Sequence, residues 1–494
     1  MHSDTNYRPS FHFTPAENWM NDPNGMFYLD GTYHLYFQYY PDSNVWGPMH
    51  WGHATSKNLV DWKEHPIALY PDEHGYIFSG SAVVDYQNTS GLGTSENPPI
   101  VAIFTHHDPE KAKAEKIDVE TQGIAYSLDQ GMTWTKYEGN PVIKNPDIRD
   151  FRDPKVFWDD TNSQWVMVLA AQKKVMFYSS PNLKDWELLS DFGETIGHHG
   201  GVWECPDLFP LKIESTGETK WVLLVSINPG GPNEGSATQY FVGDFDGNTF
   251  RLDPTFKSQL DKENNFWVDF GRDNYAGVTW QNTERSNGNK LFIGWMSNWD
   301  YATKVPTTTW RSAMTIAREL QLHNDENGFR LHSIPATELD ARFEEIINLN
   351  QTKVTAQKTL VEAPTVELHK SKIEMTITLQ QDTDIEFKLS NSANNSLAFG
   401  LDASENEYYV DRRKSGKLDF ADKFAHRLSV MPRVSTTNTI QATLYIDKTS
   451  IELFWDNGKN VMTEIFFPDT PFTQLSVTTS NEIELTHFTI DQLN

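Results

Sequence analysis

Three acidic residues stand in closely similar company. Asp22 lies in Trp19-Met20-Asn21-Asp22-Pro23-Asn24-Gly25, Asp153 in Phe151-Arg152-Asp153-Pro154, and Glu204 in Trp203-Glu204-Cys205-Pro206-Asp207. Each has an aromatic residue just upstream and a proline just downstream. Proline fixes the backbone and removes a donor, so each carboxylate is expected in a loop, on a stiffened turn. An aromatic wall lowers local polarity and can lift a carboxyl pKa toward neutrality, which a general acid needs. Sugar rings also stack on aromatic faces. Two carboxylates, one charged and one protonated, are the equipment for cutting a glycosidic bond. Taken singly, each motif has a plainer reading. An Asp-Pro step is usually only a turn, Arg152 beside Asp153 could be a surface ion pair of little worth, and Glu204 could accept a bond from Trp203 and nothing more. Their threefold recurrence in one tryptophan-rich region points to carbohydrate chemistry.

Other chemistries fall away. His106-His107 and His198-His199 are adjacent pairs. Neighbouring side chains on a strand face opposite ways, so neither pair is a natural metal site. The sequence has no HExxH, and Asn228 to Gly235 is glycine-rich but lacks the Gly-Lys-Ser/Thr of a phosphate loop. Cys205 is the one cysteine, so no intrachain disulfide forms, and it reads as a small buried hydrophobe. No metal and no cofactor are expected. Lys+Arg is 41 and Asp+Glu 68, a net charge of −27. That excludes a non-specific nucleic-acid binder and argues against docking on anionic lipid. No apolar run approaches the ~18 residues of a membrane-spanning helix.

The elements that must position these acids read as strands. Tyr33 to Tyr39, Ile100 to Thr105, Trp165 to Ala171, Trp221 to Ile227 and Leu291 to Met296 are short apolar runs bounded by turn residues. A repeat runs through them: a strand, a polar turn with Asn, Asp or Gly, and an aromatic opening the next strand. Its anchors are Trp62, Trp134, Trp186 and Phe250, spaced 72, 52 and 64 residues apart. That is the loose period of one four-stranded sheet with its loops, as in a propeller blade. Of the 16 tryptophans only Trp455 lies beyond Trp310. Leu339, Phe343 and Ile346 have helical spacing, so a linker with a short helix is expected over 331–349. Beyond it, alternation such as Ile373, Met375, Ile377 and Leu379 predicts a β-sandwich over 350–494. Later runs are expected from Thr443 to Phe454, Val461 to Phe467 and Ile483 to Ile490.

The motifs around the acids resemble those of glycoside hydrolase family 32, the invertase, inulinase and levanase group. Trp19 to Gly25 is similar to that family's WMNDPNG signature. The likeness extends to Trp46 to Ala54, Phe78-Ser-Gly-Ser81, Phe151 to Pro154, Trp203 to Pro206, Gly294 to Trp299 and Ser450 to Phe454. It covers essentially the whole chain, in order. The resemblance implies an all-β protein, a five-bladed β-propeller over 1–330 followed by the sandwich. It implies Asp22 as nucleophile, Glu204 as general acid/base, and Asp153 with Arg152 holding the fructosyl ring and stabilising the transition state. Asn21, Gln38, Trp46, Phe78, Ser79, Tyr275 and Trp295 match positions lining the fructose pocket.

The expected function is therefore a retaining glycosidase that removes terminal fructose from levan or inulin, and from sucrose. Its expected partner is a fructan or fructo-oligosaccharide, with no nucleic acid and no membrane. An endo-levanase, a non-catalytic fructan-binding protein, and a five-bladed hydrolase acting on arabinose polymers are the alternatives. The first residues, Met1 to Thr5, carry neither a basic nor an apolar signal region. The protein is expected to be extracellular or periplasmic if a signal peptide was removed, and cytoplasmic otherwise.

Overall fold

Residues 7–494 are described by a computed structural model, and they are nearly all β. Five sheets follow one another along the chain, each entered by one strand that carries three more outward as antiparallel neighbours. The entering strands are Asn18–Leu29, Tyr76–Val84, Phe151–Asp159, Val202–Lys212 and Tyr275–Thr279. Each packs beside the next, and Tyr275–Thr279 returns to Asn18–Leu29, so the sheets close a ring. Trp310–Arg311, from late in the chain, pairs parallel with Asn18 and Trp19 and adds a fifth strand to the first sheet.

All five predicted runs before residue 310 are strands. The repeat marks one place in four of the sheets, the turn into the outermost strand. Trp62 and Phe250 open Trp62–Leu69 and Phe250–Leu252, while Trp134 and Trp186 stand just before Thr135–Lys136 and Glu187–Phe192. The fifth sheet lacks the motif because its last two strands, Arg318–Asp325 and Gly328–Pro335, meet in a tight hairpin.

The expected linker helix is half 3-10 helix and half strand. A short 3-10 turn spans Thr337–Arg342, but Phe343–Asn348 is a β-strand paired with the end of Ile483–Leu493. The helical spacing misled because Ile346 is exposed rather than on a buried stripe, while the β-branched pair Ile346-Ile347 and an available sheet edge favour extension. The predicted run from Thr443 to Phe454 is a hairpin of Thr439–Ile446 and Ser450–Trp455, turning at Asp447. The C-terminal part forms a seven-stranded and a six-stranded sheet. They pack face to face, with Trp455 of the larger stacked on Tyr408 of the smaller at 4.3 Å.

A buried polar network joins the two parts. Arg318, fully buried, donates to Asp269 at 2.9 Å on the ring side and to Glu452 at 2.8 Å on the C-terminal side. His12 bridges Asp447 and the same Glu452. The backbone also closes tightly, since a Cβ on Gly271 would lie 2.2 Å from the backbone nitrogen and oxygen of Thr463.

Candidate active site

The three acids do not sit in loops. Asp22, Asp153 and Glu204 lie within the entering strands of the first, third and fourth sheets, each beside a break in register. The prolines explain the breaks. Pro23, Pro154 and Pro206 have no N–H for the ladder, so pairing slips there and a bulge re-aims the neighbouring side chain. Asp153 and Cys205 take left-handed backbone, with φ of 72° and 46°. The upstream aromatics turn into the core instead of walling the acids. Trp19, Phe151 and Trp203 are fully buried, and the Trp203 indole donates to the His198 carbonyl. Side-chain alternation along a strand sends Trp203 to the face opposite Glu204.

The acids meet at one cavity of about 390 Å³. Nine of the eleven expected site residues line it: Asn21, Asp22, Gln38, Trp46, Phe78, Ser79, Arg152, Asp153 and Glu204. Tyr275 and Trp295 stand behind the wall. The Tyr275 hydroxyl donates to Glu204 Oε1 at 2.5 Å, and Trp295, fully buried, packs against Trp19, Tyr275 and Trp299. Gln38 is committed to structure, since its amide donates to Asn24 and to the Ile77 carbonyl.

Asp22 sits among donors. Ser79 Oγ donates to Oδ2 at 2.5 Å and the Asn21 amide to Oδ1 at 3.1 Å. The Trp19 indole holds the Asn21 carbonyl at 2.8 Å, which fixes which end of that amide faces the carboxylate. Burial and then the charge of Glu204 push the Asp22 pKa up, while the Ser79, Asn21 and Cys205 donors pull it down. Asp153 accepts the Cys205 backbone N–H at 2.9 Å. Burial pushes its pKa up to about 8, against the pull of Arg152 and with a further push from Glu204 and Asp22. Asp22 and Asp153 share one desolvated space, so as a pair they hold a proton more readily than isolated acids do.

Arg152 ties the cluster together. Its Nη2 donates to Glu204 Oε2 at 3.0 Å, and Nη1 donates to Asp150 at 2.8 Å and Glu120 at 3.1 Å. Glu120 was not singled out from the sequence. It is almost fully buried and accepts from Arg152, from the Phe151 backbone N–H at 3.0 Å and from His107, whose ring stacks on Phe78 at 4.3 Å. Its sequence context, Val119-Glu120-Thr121, carries no signal beyond a charge in a strand. Trp46, Phe78 and His107 form an aromatic side of the cavity, and Trp46 is 39 % exposed. Trp299 also lines it.

Cys205 is buried as expected, but its thiol is polar in use, 3.4 Å from both Asp22 Oδ2 and Asp153 Oδ2. Among the described residues these three alone bring potential metal-ligand atoms within 4.8 Å of one another. Burial and the neighbouring carboxylates push the thiol pKa well up, so it stays protonated and acts as a donor between them.

The chain matches the glycosyl hydrolases family 32 N-terminal domain over residues 12–335 and the glycosyl hydrolases family 32 C-terminal domain over 339–492. It belongs to glycoside hydrolase family 32. It is 44 % identical to a levanase of Bacillus subtilis over 94 % of this chain and 67 % of the levanase. It is 39 % identical to the extracellular exo-inulinase of Aspergillus niger over 94 % of this chain and 90 % of that protein. Among solved structures, a fructofuranosidase of Schwanniomyces occidentalis complexed with fructose superposes with a TM-score of 0.86, at 35 % identity and over 100 % of this chain and 99 % of that one. This member of family 32 is therefore a glycosidase.

Proposed function

We propose that the protein is a retaining, exo-acting β-fructosidase that releases terminal fructose from levan and inulin and cleaves sucrose. The observation that carries the reading is the single small cavity in which Asp22, Asp153 and Glu204 converge. About 390 Å³ suits one fructosyl unit and part of its neighbour, and so favours a chain end over an internal linkage. The levanase and exo-inulinase names of its relatives supply the substrate class.

Asp22 is the nucleophile. Three side-chain donors stabilise its charged form, and its oxygen attacks C2 as the bond to the leaving oxygen breaks. Glu204 gives its proton to that oxygen, then takes a proton from the water that attacks C2 and frees Asp22. Two inversions at C2 leave the configuration retained. Its side chain is 19 % exposed, which suits exchange with a leaving group and water. Asp153 and Arg152 hold the ring hydroxyls, and the aromatic side at Trp46 and Phe78 receives the sugar faces.

In this reading the ring of sheets is a five-bladed propeller ending near Pro335, and the β-sandwich begins at Phe343. The sandwich supports the propeller and supplies no catalytic group, since no residue beyond Trp299 lines the cavity. Action outside the cytoplasm follows from polymeric substrates too large to cross a cell membrane. Chromatography of the earliest products from levan and inulin tests the proposal: fructose alone is expected, a ladder of oligosaccharides would make the enzyme endo-acting, and no product would leave a binding protein.

A further inference from the structure

The entering strands that carry Asp153 and Glu204, with those of the second and fifth sheets, also wall a second cavity at their other ends. Ser79, Asp153, Glu204 and Tyr275 lie near the starts of four entering strands, and Val83, Phe157, Phe209 and Thr279 lie four or five residues further on. At ~3.3 Å per residue the second cavity is about 13–17 Å from the acids, at the far mouth of the ring. Its volume is about 580 Å³, larger than that of the catalytic cavity.

Its lining combines flat aromatic surface with hydroxyl-binding groups. Trp158 and Trp221 are half-buried and Tyr86 is 59 % exposed. The tryptophans are held in place, Trp158 edge-on against Trp165 at 5.0 Å and Trp221 against Phe157 at 5.7 Å. Asp207, only 1 % exposed, uses Oδ2 to accept the Thr279 backbone N–H and hydroxyl, both at 2.8 Å, while its Oδ1 has no hydrogen-bond partner. A buried carboxylate oxygen without a donor is costly, and native structures normally satisfy such an atom. Asp160 and Glu284 add acceptors, and Gln87 and Asn282 add amides that both donate and accept. Asp207 is paired with the buried Lys155 at 3.7 Å, and Lys290 is the one cation in the lining itself, against the carboxylates of Asp85, Asp160 and Glu284. That balance repels phosphates, nucleotides and acidic sugars. A neutral ligand with many hydroxyls and apolar ring faces fits both halves of the lining.

We infer that this cavity is a second, non-catalytic site for a neutral oligosaccharide. On the fructosidase reading above, its ligand is a fructan branch or fructo-oligosaccharide. A polymer held at the far mouth raises the effective concentration of its other ends at the acids, without touching the chemistry.

Affinity electrophoresis in gels containing levan or inulin tests this. Tyr86→Ala and Trp158→Ala are compared with their parent in an Asp22→Ala background, so the polymer is not consumed. Loss of one stacked ring, about 1.4 kcal/mol, is expected to weaken retardation by roughly tenfold. With Asp22 intact, the same substitutions should raise KM for levan and leave both kcat and sucrose turnover unchanged. Trp158→Ala removes a packed ring, so Tyr86→Ala and the exposed Glu284→Gln serve as variants that leave the fold alone. If all three are retarded as strongly as the parent, the site does not exist. Failure of the wild type to cleave sucrose or fructan would instead sink the fructosidase reading, so the two fail separately.

Discussion

Asp153→Asn should give a protein that is more stable than its parent and nearly inactive. Asp153 is 5 % exposed, and burial, with the charges of Glu204 and Asp22, pushes its pKa up to about 8 despite the adjacent Arg152. The unfolded carboxyl titrates at its ordinary 3.8. Between those pH values the folded chain keeps a proton that the unfolded chain has released. The free energy of unfolding therefore falls as pH rises through the window, by about 1.4 kcal/mol per pH unit. Roughly three units separate 3.8 from pH 7, which sets a ceiling of about 4 kcal/mol there. Asparagine carries no such proton, and its Oδ1 can keep the bond from the Cys205 N–H. The stability gap between variant and parent should open near pH 4, widen to pH 8 and stay level above. Activity should fall by at least ~10²-fold, as for the loss of a group that stabilises a transition state. Denaturant unfolding of both proteins at pH 4.5, 6, 7.5 and 9, with fructose release assayed on the same samples, measures both effects. A variant less stable than its parent at pH 7.5, or a gap independent of pH, would mean that Arg152 holds Asp153 ionised and that the electrostatic reasoning is wrong.

The remaining predictions concern roles and joints. Glu204→Ala should lose more than the ~10²–10⁴-fold due to a general acid alone, because deglycosylation loses its base too. A fructoside with an activated leaving group should rescue its first step and let a fructosyl adduct accumulate on Asp22; Asp22→Ala should show no rescue, and an adduct found by mass spectrometry on Glu204 would reverse the roles. His12 is buried, which alone would lower its pKa, but Glu452 and Asp447 raise it to about 9 from 6.5. Its contribution, up to about 3 kcal/mol, is complete below pH 6.5 and lost as pH rises to 9, so the melting temperature should drop across that window and His12→Gln should flatten the drop. Gly271→Ala forces a Cβ against the Thr463 backbone and should cost about 1–3 kcal/mol in thermal unfolding; an unchanged melting temperature would mean that the two parts of the chain separate easily.

The acids were legible because each needs a proline beside it to break the ladder, and that proline is printed in the sequence. Their setting was misjudged for the same reason: Asp-Pro reads as a turn, whereas here the chain stays extended on both sides of a bulge. The repeat at Trp62, Trp134, Trp186 and Phe250 was visible because the turns it marks are local. The fifth sheet was not, since residues 296–317 interrupt it and lend Trp310–Arg311 to the first sheet. Glu120 and Thr105 reach the site across a sheet, through Arg152 and the Asp153 backbone, and no spacing along the chain announces such a contact. The thiol of Cys205 was read as apolar because hydrophobicity is assigned by residue type, and only the fold reveals two carboxylates beside it.

Trp310–Arg311 lies 292 residues along the chain from Asn18–Trp19. The strand it clasps is the one that carries Asn21 and Asp22, and the Trp19 it pairs near steers the amide facing that carboxylate. Closing so long a loop costs about 5 kcal/mol of chain entropy beyond a constant, repaid only when nearly the whole ring exists. During synthesis the acids of the first, third and fourth sheets emerge one by one, each harmless without the others. On the roles proposed for these acids, catalytic competence then arrives late and all at once, when the ring closes.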